Sequence, residues 1–127
     1  MKRKKLPINK KHLKDHADQL WKYACIRKWG QNCNVCNAPG SDVHHFFTRH
    51  SFARLRHEIA NGIILCRACH IKHHWRGDPT IQQAIIQSRG MKWYRKLEKM
   101  AKEKFISFQT VKWYKDIIAE LTKFIQS

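Results

Sequence analysis

The segment CRACHIKHH, residues 66–74, places two cysteines and three histidines within nine residues. Thiolate and imidazole groups are both ligands of transition metals. A second Cys-x-x-Cys pair, formed by Cys33 and Cys36, lies upstream in the same chain. The first question is whether these residues form one metal site or two, and whether the metal holds the fold or takes part in a reaction.

The two cysteine pairs indicate a structural zinc site. Four thiolates at tetrahedral corners suit Zn²⁺ and leave no position open for water. The gap between the pairs exceeds that of the usual zinc ribbon and leaves room for a hairpin. A redox pair or unrelated buried thiols are the alternatives, but two pairs in one small domain favour zinc. We therefore predict a zinc site formed by Cys33, Cys36, Cys66 and Cys69.

The histidines are then left for a second site. Seven of the nine histidines lie between residues 44 and 74. His70 and His74 are four residues apart and share a helix face, so they can converge on one ion. His73 lies on a nearby face, and spacing alone does not decide between His73 and His74. Between residues 43 and 77 the only acid is Glu58. This argues against a carboxylate-caged two-metal nuclease site and favours a single ion with imidazole ligands, water and a substrate phosphate.

The elements that would position these residues are short in the centre of the chain. Two β-prone segments, Val43–Phe47 and Ile63–Leu65, are predicted strands, and His70–Trp75 is the predicted start of a helix. Before them, a helix is predicted from an Asn9 cap to about Trp29, ended by Gly30. Cys25 falls inside this helix without a Cys-x-x-Cys partner, and we predict that it is a buried thiol.

Three further helical segments follow the centre. Asp78 and Pro79 predict a helix N-cap and first turn, and this helix should end at Gly90. Apolar stripes mark a second helix around Leu97 and a third around Leu121. The predicted organisation is a basic tail at 1–11 and a single domain at 12–127. The domain divides into an N-terminal helix (12–30), a central zinc-stabilised region (31–76) and a C-terminal helical region (77–127).

The charge of the chain points to a polyanionic partner. Lys and Arg total 26 against 9 acids, a formal charge of +17. Nucleic acid is the first candidate and an acidic membrane surface the second. A membrane-surface protein would need a clear basic amphipathic helix with an exposed apolar face, and the sequence does not show one. We also see no apolar run long enough to span a bilayer and no secretory leader. We therefore expect a cytoplasmic protein that binds DNA, with RNA as a further possible substrate, and a reducing compartment favours metal over disulfides.

His45, Asn61 and either His70 or His74, on a strand–turn–strand–helix frame, resemble the HNH motif of the ββα-metal nucleases. The knuckled form of that family has the pattern of the four cysteines, with LCRACH matching its second knuckle. The resemblance covers residues 33–75. It implies an α+β fold with a small ββα-metal core, a structural zinc, and flanking N-terminal and C-terminal helices.

The same resemblance implies roles for single residues. His45 takes the position of the general base, and His44 that of a metal-binding Asp or His. His70 and His74 would complete the ligand set of a catalytic Mg²⁺ or Mn²⁺, which would polarise the scissile phosphate. Asn61 would brace the loop that orients the base, although Asn61-Gly62 is also a hairpin-turn dipeptide, which alone would explain it.

The nucleic-acid contacts that we predict are basic residues near these histidines. Arg49 is a candidate for a second phosphate contact, although an ordinary solvated arginine is an equal alternative. Lys72 and Arg76 are the other two predicted contacts, on and just after the helix that carries His70.

A looser resemblance concerns the phage NinG (Rap) recombination proteins. HHFFTRHSFARLRHE, then GDPT and KWYRKLEKMAK, are similar to a His-aromatic-x-Ser/Thr-Arg run and a helical C-terminus in those proteins. The chain departs from them in its histidine doublet and its N-terminal helix. This resemblance implies a metal-dependent DNA endonuclease acting on branched recombination intermediates in a bacterial host cytoplasm. The alternatives are a non-catalytic zinc-stabilised nucleic-acid-binding module and a homing or nicking HNH nuclease.

Overall fold

The computed structural model describes residues 9–49, 51–103 and 109–127, without the side chain of Trp75. The described residues form an α+β fold with five α-helices and a two-stranded antiparallel sheet. Most of the predicted basic tail and Lys104 lie outside them. The elements in chain order are α1 (Lys10–Trp29), β1 (Asp42–His45), β2 (Gly62–Leu65), α2 (Arg67–His70), α3 (Pro79–Arg89), α4 (Met91–Ala101) and α5 (Val111–Gln126).

The helix ends follow from local capping chemistry, as predicted. The Asn9 side chain accepts a hydrogen bond from the Lys11 amide at 2.8 Å, which caps α1. Gly30 ends α1 with φ of 85°, a conformation that glycine adopts without strain. Asp78 caps α3 through the Thr80 amide at 2.9 Å, and Pro79 is its first residue.

The two strands pair between the two cysteine knuckles, so the predicted hairpin is present. Val43 pairs with Ile64 and His45 with Gly62. The strand prediction Val43–Phe47 was wrong at both ends, since β1 runs Asp42–His45. Phe47 leaves the strand because its amide donates to the side chain of Asn61 at 2.8 Å instead of to a neighbouring strand.

The connection between the strands is long. It spans residues 46–61 and contains two 3₁₀ turns, Ala53–Leu55 and Ile59–Asn61. Gly62 has φ of −81° and is the first residue of β2, so Asn61-Gly62 does not form the two-residue hairpin turn. Gly62 is needed for another reason: a Cβ atom there would lie 2.2 Å from the Cys25 sulfur. Cys25 is fully buried, as predicted.

The sheet is covered on both faces. Successive strand residues point to opposite sides, and all four residues of β2 are buried. Ile64 packs with Trp21 of α1 and Leu121 of α5. On the other side, Ile63 and Leu65 pack in a second cluster, with Ile81, Ile85 and Leu97 from α3 and α4. The sheet that carries His44 and His45 is thereby held between two helical layers.

The helix predicted at His70–Trp75 begins earlier and changes geometry. It starts as α2 at Arg67, and Ile71–Trp75 continue it as a π-helical turn, closed by the Arg76 amide on the Ile71 carbonyl at 3.2 Å. Such wide turns are rare and occur often at functional sites. None of the described helices has the length and apolar character that spanning a membrane requires.

Candidate functional site

The four cysteines of the two knuckles lie together. Cys33 and Cys36 come from the loop after α1, Cys66 caps α2, and Cys69 lies within α2. Their sulfur atoms all lie within 4.8 Å of one another, and those of Cys36 and Cys66 are 3.6 Å apart. Zinc–sulfur bonds of 2.3 Å at tetrahedral angles separate sulfur atoms by about 3.8 Å. All four are free thiols that could bind a metal ion, in the grouping predicted.

The backbone holds the first knuckle against the sheet. The Asn34 amide donates to the Ile64 carbonyl at 2.7 Å, and the Asn34 side chain accepts from the Ile64 amide at 2.9 Å. Although burial raises it, backbone N–H groups at Cys36 and Cys66 lower the pKa of Cys33 to about 6. Burial and the neighbouring Cys66 thiol raise the pKa of Cys69. Ionising all four close thiols would therefore bring negative charges together. A divalent cation bound between them would offset the repulsion between these charges.

The predicted histidines also lie close together, at the other end of the segment formed by α2 and the π-helical turn. The rings of His44 and His70 stack with centroids 3.8 Å apart, and those of His70 and His74 lie 5.5 Å apart. Together with His45 and His73 they line a cavity of about 550 Å³. β1 and the α2–π-helical segment thus bring together residues that lie more than 20 positions apart in the sequence.

His44 carries an unsatisfied polar atom. Its Nε2 atom is buried and has no hydrogen-bond partner among the described residues, and a buried polar atom left so is costly. Burial and the neighbouring His70 lower the pKa of His44 to about 4. Burial likewise lowers the pKa of His70 and of His73. Neutral imidazoles are the form that binds metal ions, so the chemistry of this cluster fits a divalent cation.

The geometry of the histidine cluster is nevertheless open. Among the described residues, the four cysteines are the only group of three or more potential ligands whose donor atoms all lie within 4.8 Å of one another. His44, His70 and His74 do not form a second such group among the described residues. Side-chain rotation would be needed to gather them around one ion.

His45 is held in a different way from His44. Its ring stacks on Trp21 of α1, with centroids 4.2 Å apart and planes 9° from parallel. Its Nε2 atom lies 2.9 Å from the Arg56 carbonyl oxygen. A carbonyl only accepts hydrogen bonds, so Nε2 carries the proton and Nδ1 carries the lone pair. Although this bond raises it, burial lowers the pKa of His45 to about 4, so the ring is neutral at pH 7.

Asn61 is fully buried and contacts the loop that follows His45. Its side-chain oxygen accepts from the Phe47 amide at 2.8 Å. Its side-chain nitrogen donates to the carbonyls of Phe47 and Leu55 at 3.0 and 3.2 Å. All of these bonds are to backbone, so Asn61 ties the beginning of this loop and its first 3₁₀ turn to the start of β2.

The predicted nucleic-acid contacts lie at the surface. Arg49 is exposed and lines the histidine cavity. Lys72 and Arg76 are exposed on and after the π-helical turn. Whether these side chains contact nucleic acid stays a prediction.

Sequence reasoning missed the residues behind His45. Trp21 and Asp18 lie on α1, and Asp18 binds Arg56 and His57 at distances of 2.6–2.8 Å. Nothing in the local sequence of α1 signals a partner 38 residues away. The one signal in the sequence is that aromatic and acidic residues share one face of α1, which indicates that this face is covered by another part of the chain.

A larger cavity of about 860 Å³ lies elsewhere, along Trp29, Arg89 and Trp93. Arg89 lies over the Trp29 ring at 3.5 Å and donates to the Asn34 side chain at 2.9 Å. The described residues that line it include neither a histidine nor a carboxylate. These contacts tie α3 to the first cysteine knuckle and add no reactive group.

No family model, curated protein or solved structure matches the chain. The functional assignment therefore depends on the site itself.

Proposed function

We propose that this protein is a metal-dependent DNA endonuclease of the HNH type. The observation that carries the proposal is the difference between the two adjacent histidines, His44 and His45. His44 has a buried, unpartnered Nε2 atom and a ring that stacks on His70, while His45 donates its Nε2 proton to the Arg56 carbonyl and has a lone pair on Nδ1. One histidine is suited to bind a cation and its neighbour to accept a proton, in one cavity.

The chain's own residues would divide the work. His45 would accept a proton from water at Nδ1, a role that requires a neutral ring and agrees with its lowered pKa. His44, His70 and His74 would hold the ion, and Arg49 would contact a phosphate at the cavity. When bound, a divalent ion supplies Lewis-acid polarisation of the phosphate and stabilisation of the leaving oxygen. Imidazole is softer than carboxylate, so we expect Mn²⁺ to support the reaction better than Mg²⁺.

The cysteine cluster has a structural part in this proposal. Zinc bound to the four cysteines would fix the start of α2, and His70 follows Cys69 directly. Because the ligand set is complete in thiolates, this zinc has no open position for substrate.

A basic surface supports nucleic acid as the partner. Four exposed basic residues of α4 and its C-cap lysine lie on one side of the helix and make no ion pair within the described part of the chain: Lys92, Arg95, Lys96, Lys99 and the C-cap Lys102. A surface of this kind binds phosphates and reads backbone shape more than base sequence. We therefore favour branched or structured DNA over a defined sequence.

A second candidate is a zinc-stabilised nucleic-acid-binding module without catalysis. It is favoured by the fact that only the cysteines among the described residues converge as ligands. This alternative gives no reason for the buried, unpartnered Nε2 atom of His44, a residue that lines the histidine cavity.

The two candidates are separated by incubating the protein with supercoiled plasmid, a four-way junction and matched linear duplex, with and without Mn²⁺ or Mg²⁺. We expect ion-dependent cleavage that His45→Ala slows by roughly a hundredfold or more, with DNA affinity nearly unchanged. His16→Ala, an exposed histidine of α1, is the matched control. A binding module would shift the same DNA in a gel and cleave none of it, and cleavage of RNA alone would change the substrate class.

A further inference from the structure

Side chains of helix α1 donate hydrogen bonds to the backbone of the segment that follows the first 3₁₀ turn. Trp21 donates from Nε1 to the Glu58 carbonyl at 2.8 Å. Trp29 donates in the same way to the Ile59 carbonyl at 2.9 Å. Trp21, Cys25 and Trp29 recur every four residues, so they lie on one face of α1. This face therefore fixes the carbonyl groups at residues 58 and 59.

Asp18, also on α1, forms hydrogen bonds with the side chains of Arg56 and His57. Its two oxygens accept from the Arg56 guanidinium at 2.8 and 2.7 Å, and the His57 Nε2 atom lies 2.6 Å from one of them. Although burial raises it, the hydrogen bonds from Arg56 and His57 hold the pKa of Asp18 well below its usual range. A two-bond arginine–carboxylate pair fixes orientation as well as distance.

These contacts end at the proposed general base. The side chain of Arg56 is held by Asp18, and the carbonyl of Arg56 holds the Nε2 proton of His45 at 2.9 Å. The opposite support is Trp21, whose ring lies parallel to the His45 ring at 4.2 Å. The imidazole is thus fixed at one edge and on one face by groups that depend on α1.

We infer that Asp18 and Trp21 are positioning residues that hold His45 as its Nε2–H tautomer with Nδ1 free to accept a proton. The inference rests on the proposed role of His45 as the base, and it assigns part of the site to a helix outside residues 33–75. Without Asp18, the Arg56 side chain loses its anchor and the carbonyl at residue 56 can move. His45 then loses the acceptor that selects its tautomer, and a ring protonated at Nδ1 cannot take a proton from water there.

The tautomer can be measured without any assay of cleavage. Long-range ¹H–¹⁵N spectra of the imidazole rings distinguish Nε2–H from Nδ1–H, and the His45 signals are assigned from their loss in His45→Gln. The full zinc-loaded chain is compared with Asp18→Asn, which removes the charge at nearly constant shape. Asp15→Asn is the control, because Asp15 is an exposed acid on the same helix and forms no ion pair with any residue that the structure describes.

We expect wild type and Asp15→Asn to show His45 as the Nε2–H tautomer, and Asp18→Asn to show a mixture. The single-turnover cleavage rate of Asp18→Asn should fall on the order of tenfold to a hundredfold, with the DNA dissociation constant unchanged. Trp21→Leu removes both the stacking ring and the bond to Glu58, so it tests the same claim if Asp18→Asn does not fold.

An unchanged His45 tautomer in folded Asp18→Asn, or in folded Trp21→Leu where Asp18→Asn fails to fold, would overturn the inference. A changed tautomer in a protein that never cleaves nucleic acid would leave the positioning intact and refute the proposed function instead. A fall in rate without a change of tautomer would show that Asp18 acts on cleavage by another route and would also overturn the inference.

Discussion

The cysteine cluster and the histidine cluster meet at residues 69 and 70, yet the fold completes only one of them. The four sulfur atoms already lie within 4.8 Å of one another. The histidine rings stack instead, and the Nε2 atom of His44 is left unpartnered. A structural metal site is closed by protein ligands alone, whereas a reactive site must keep positions for water and substrate. The difference is what we expect if the first cluster holds the fold and the second works on a phosphate.

The largest effect should come from breaking the complete cluster. Cys66→Ser removes one zinc ligand, and zinc contributes roughly 10–16 kcal/mol in zinc-finger peptides, which rivals the whole stability of a domain. We expect the central region to unfold, measured by circular dichroism and zinc content. Cys25→Ala, which removes a buried thiol outside the cluster, should retain about one zinc per chain. A folded Cys66→Ser protein with normal zinc affinity would place the ion elsewhere.

The next effect concerns which histidines would complete the open cluster. His74 lies 5.5 Å from the His70 ring, whereas the His73 Nε2 atom lies 3.5 Å from the His45 carbonyl oxygen. We expect His74→Ala to raise the Mn²⁺ concentration needed for half-maximal cleavage by about tenfold or more, because one ligand is lost. His73→Ala should raise it less. The reverse order would make His73 the ligand.

A smaller effect should come from the brace beneath the histidine cluster. Asn61→Ala deletes three hydrogen bonds to buried backbone groups of the loop, at Phe47 and Leu55. Leaving such groups unsatisfied should lower the free energy of unfolding by about 3 kcal/mol, measured in urea. Asn32→Ala, at an exposed asparagine, should change it by less than about 0.5 kcal/mol. Equal stabilities would mean that Asn61 does not brace the loop.

The smallest change per residue should come from the basic surface of α4, which contains no residue of either cluster. Replacing Lys92, Lys96 and Lys99 of α4 by glutamine should reduce the slope of log affinity against log salt by up to about 0.9 for each DNA phosphate that is no longer neutralised. The same change at Lys112, Lys115 and Lys123 of α5 is the matched control, because Lys112 is already paired with Asp116. A larger reduction in the α5 variant would assign DNA binding to that helix. Cleavage chemistry should be unchanged in both variants at saturating DNA.

The local parts of this structure could be predicted from the sequence. The caps at Asn9, Gly30 and Asp78 act within a few residues, so the helix ends follow from short patterns. The cysteine grouping follows from the paired spacing. The end of β1 and the role of Gly62 could not be predicted, because the Asn61 side chain and the Cys25 sulfur decide them from distant positions. Asp18 reaches Arg56 across 38 residues, which no local pattern reports.

The most direct test of the division between the two clusters is to wash the protein in a weak chelator, count its zinc, and then assay plasmid cleavage before and after adding Mn²⁺. We predict about one zinc per chain, a folded protein, no cleavage before addition and cleavage after it. Cleavage by the washed, zinc-containing protein without added ion would contradict the separation of the two sites. A folded protein that contains no zinc would contradict the role of the cysteines.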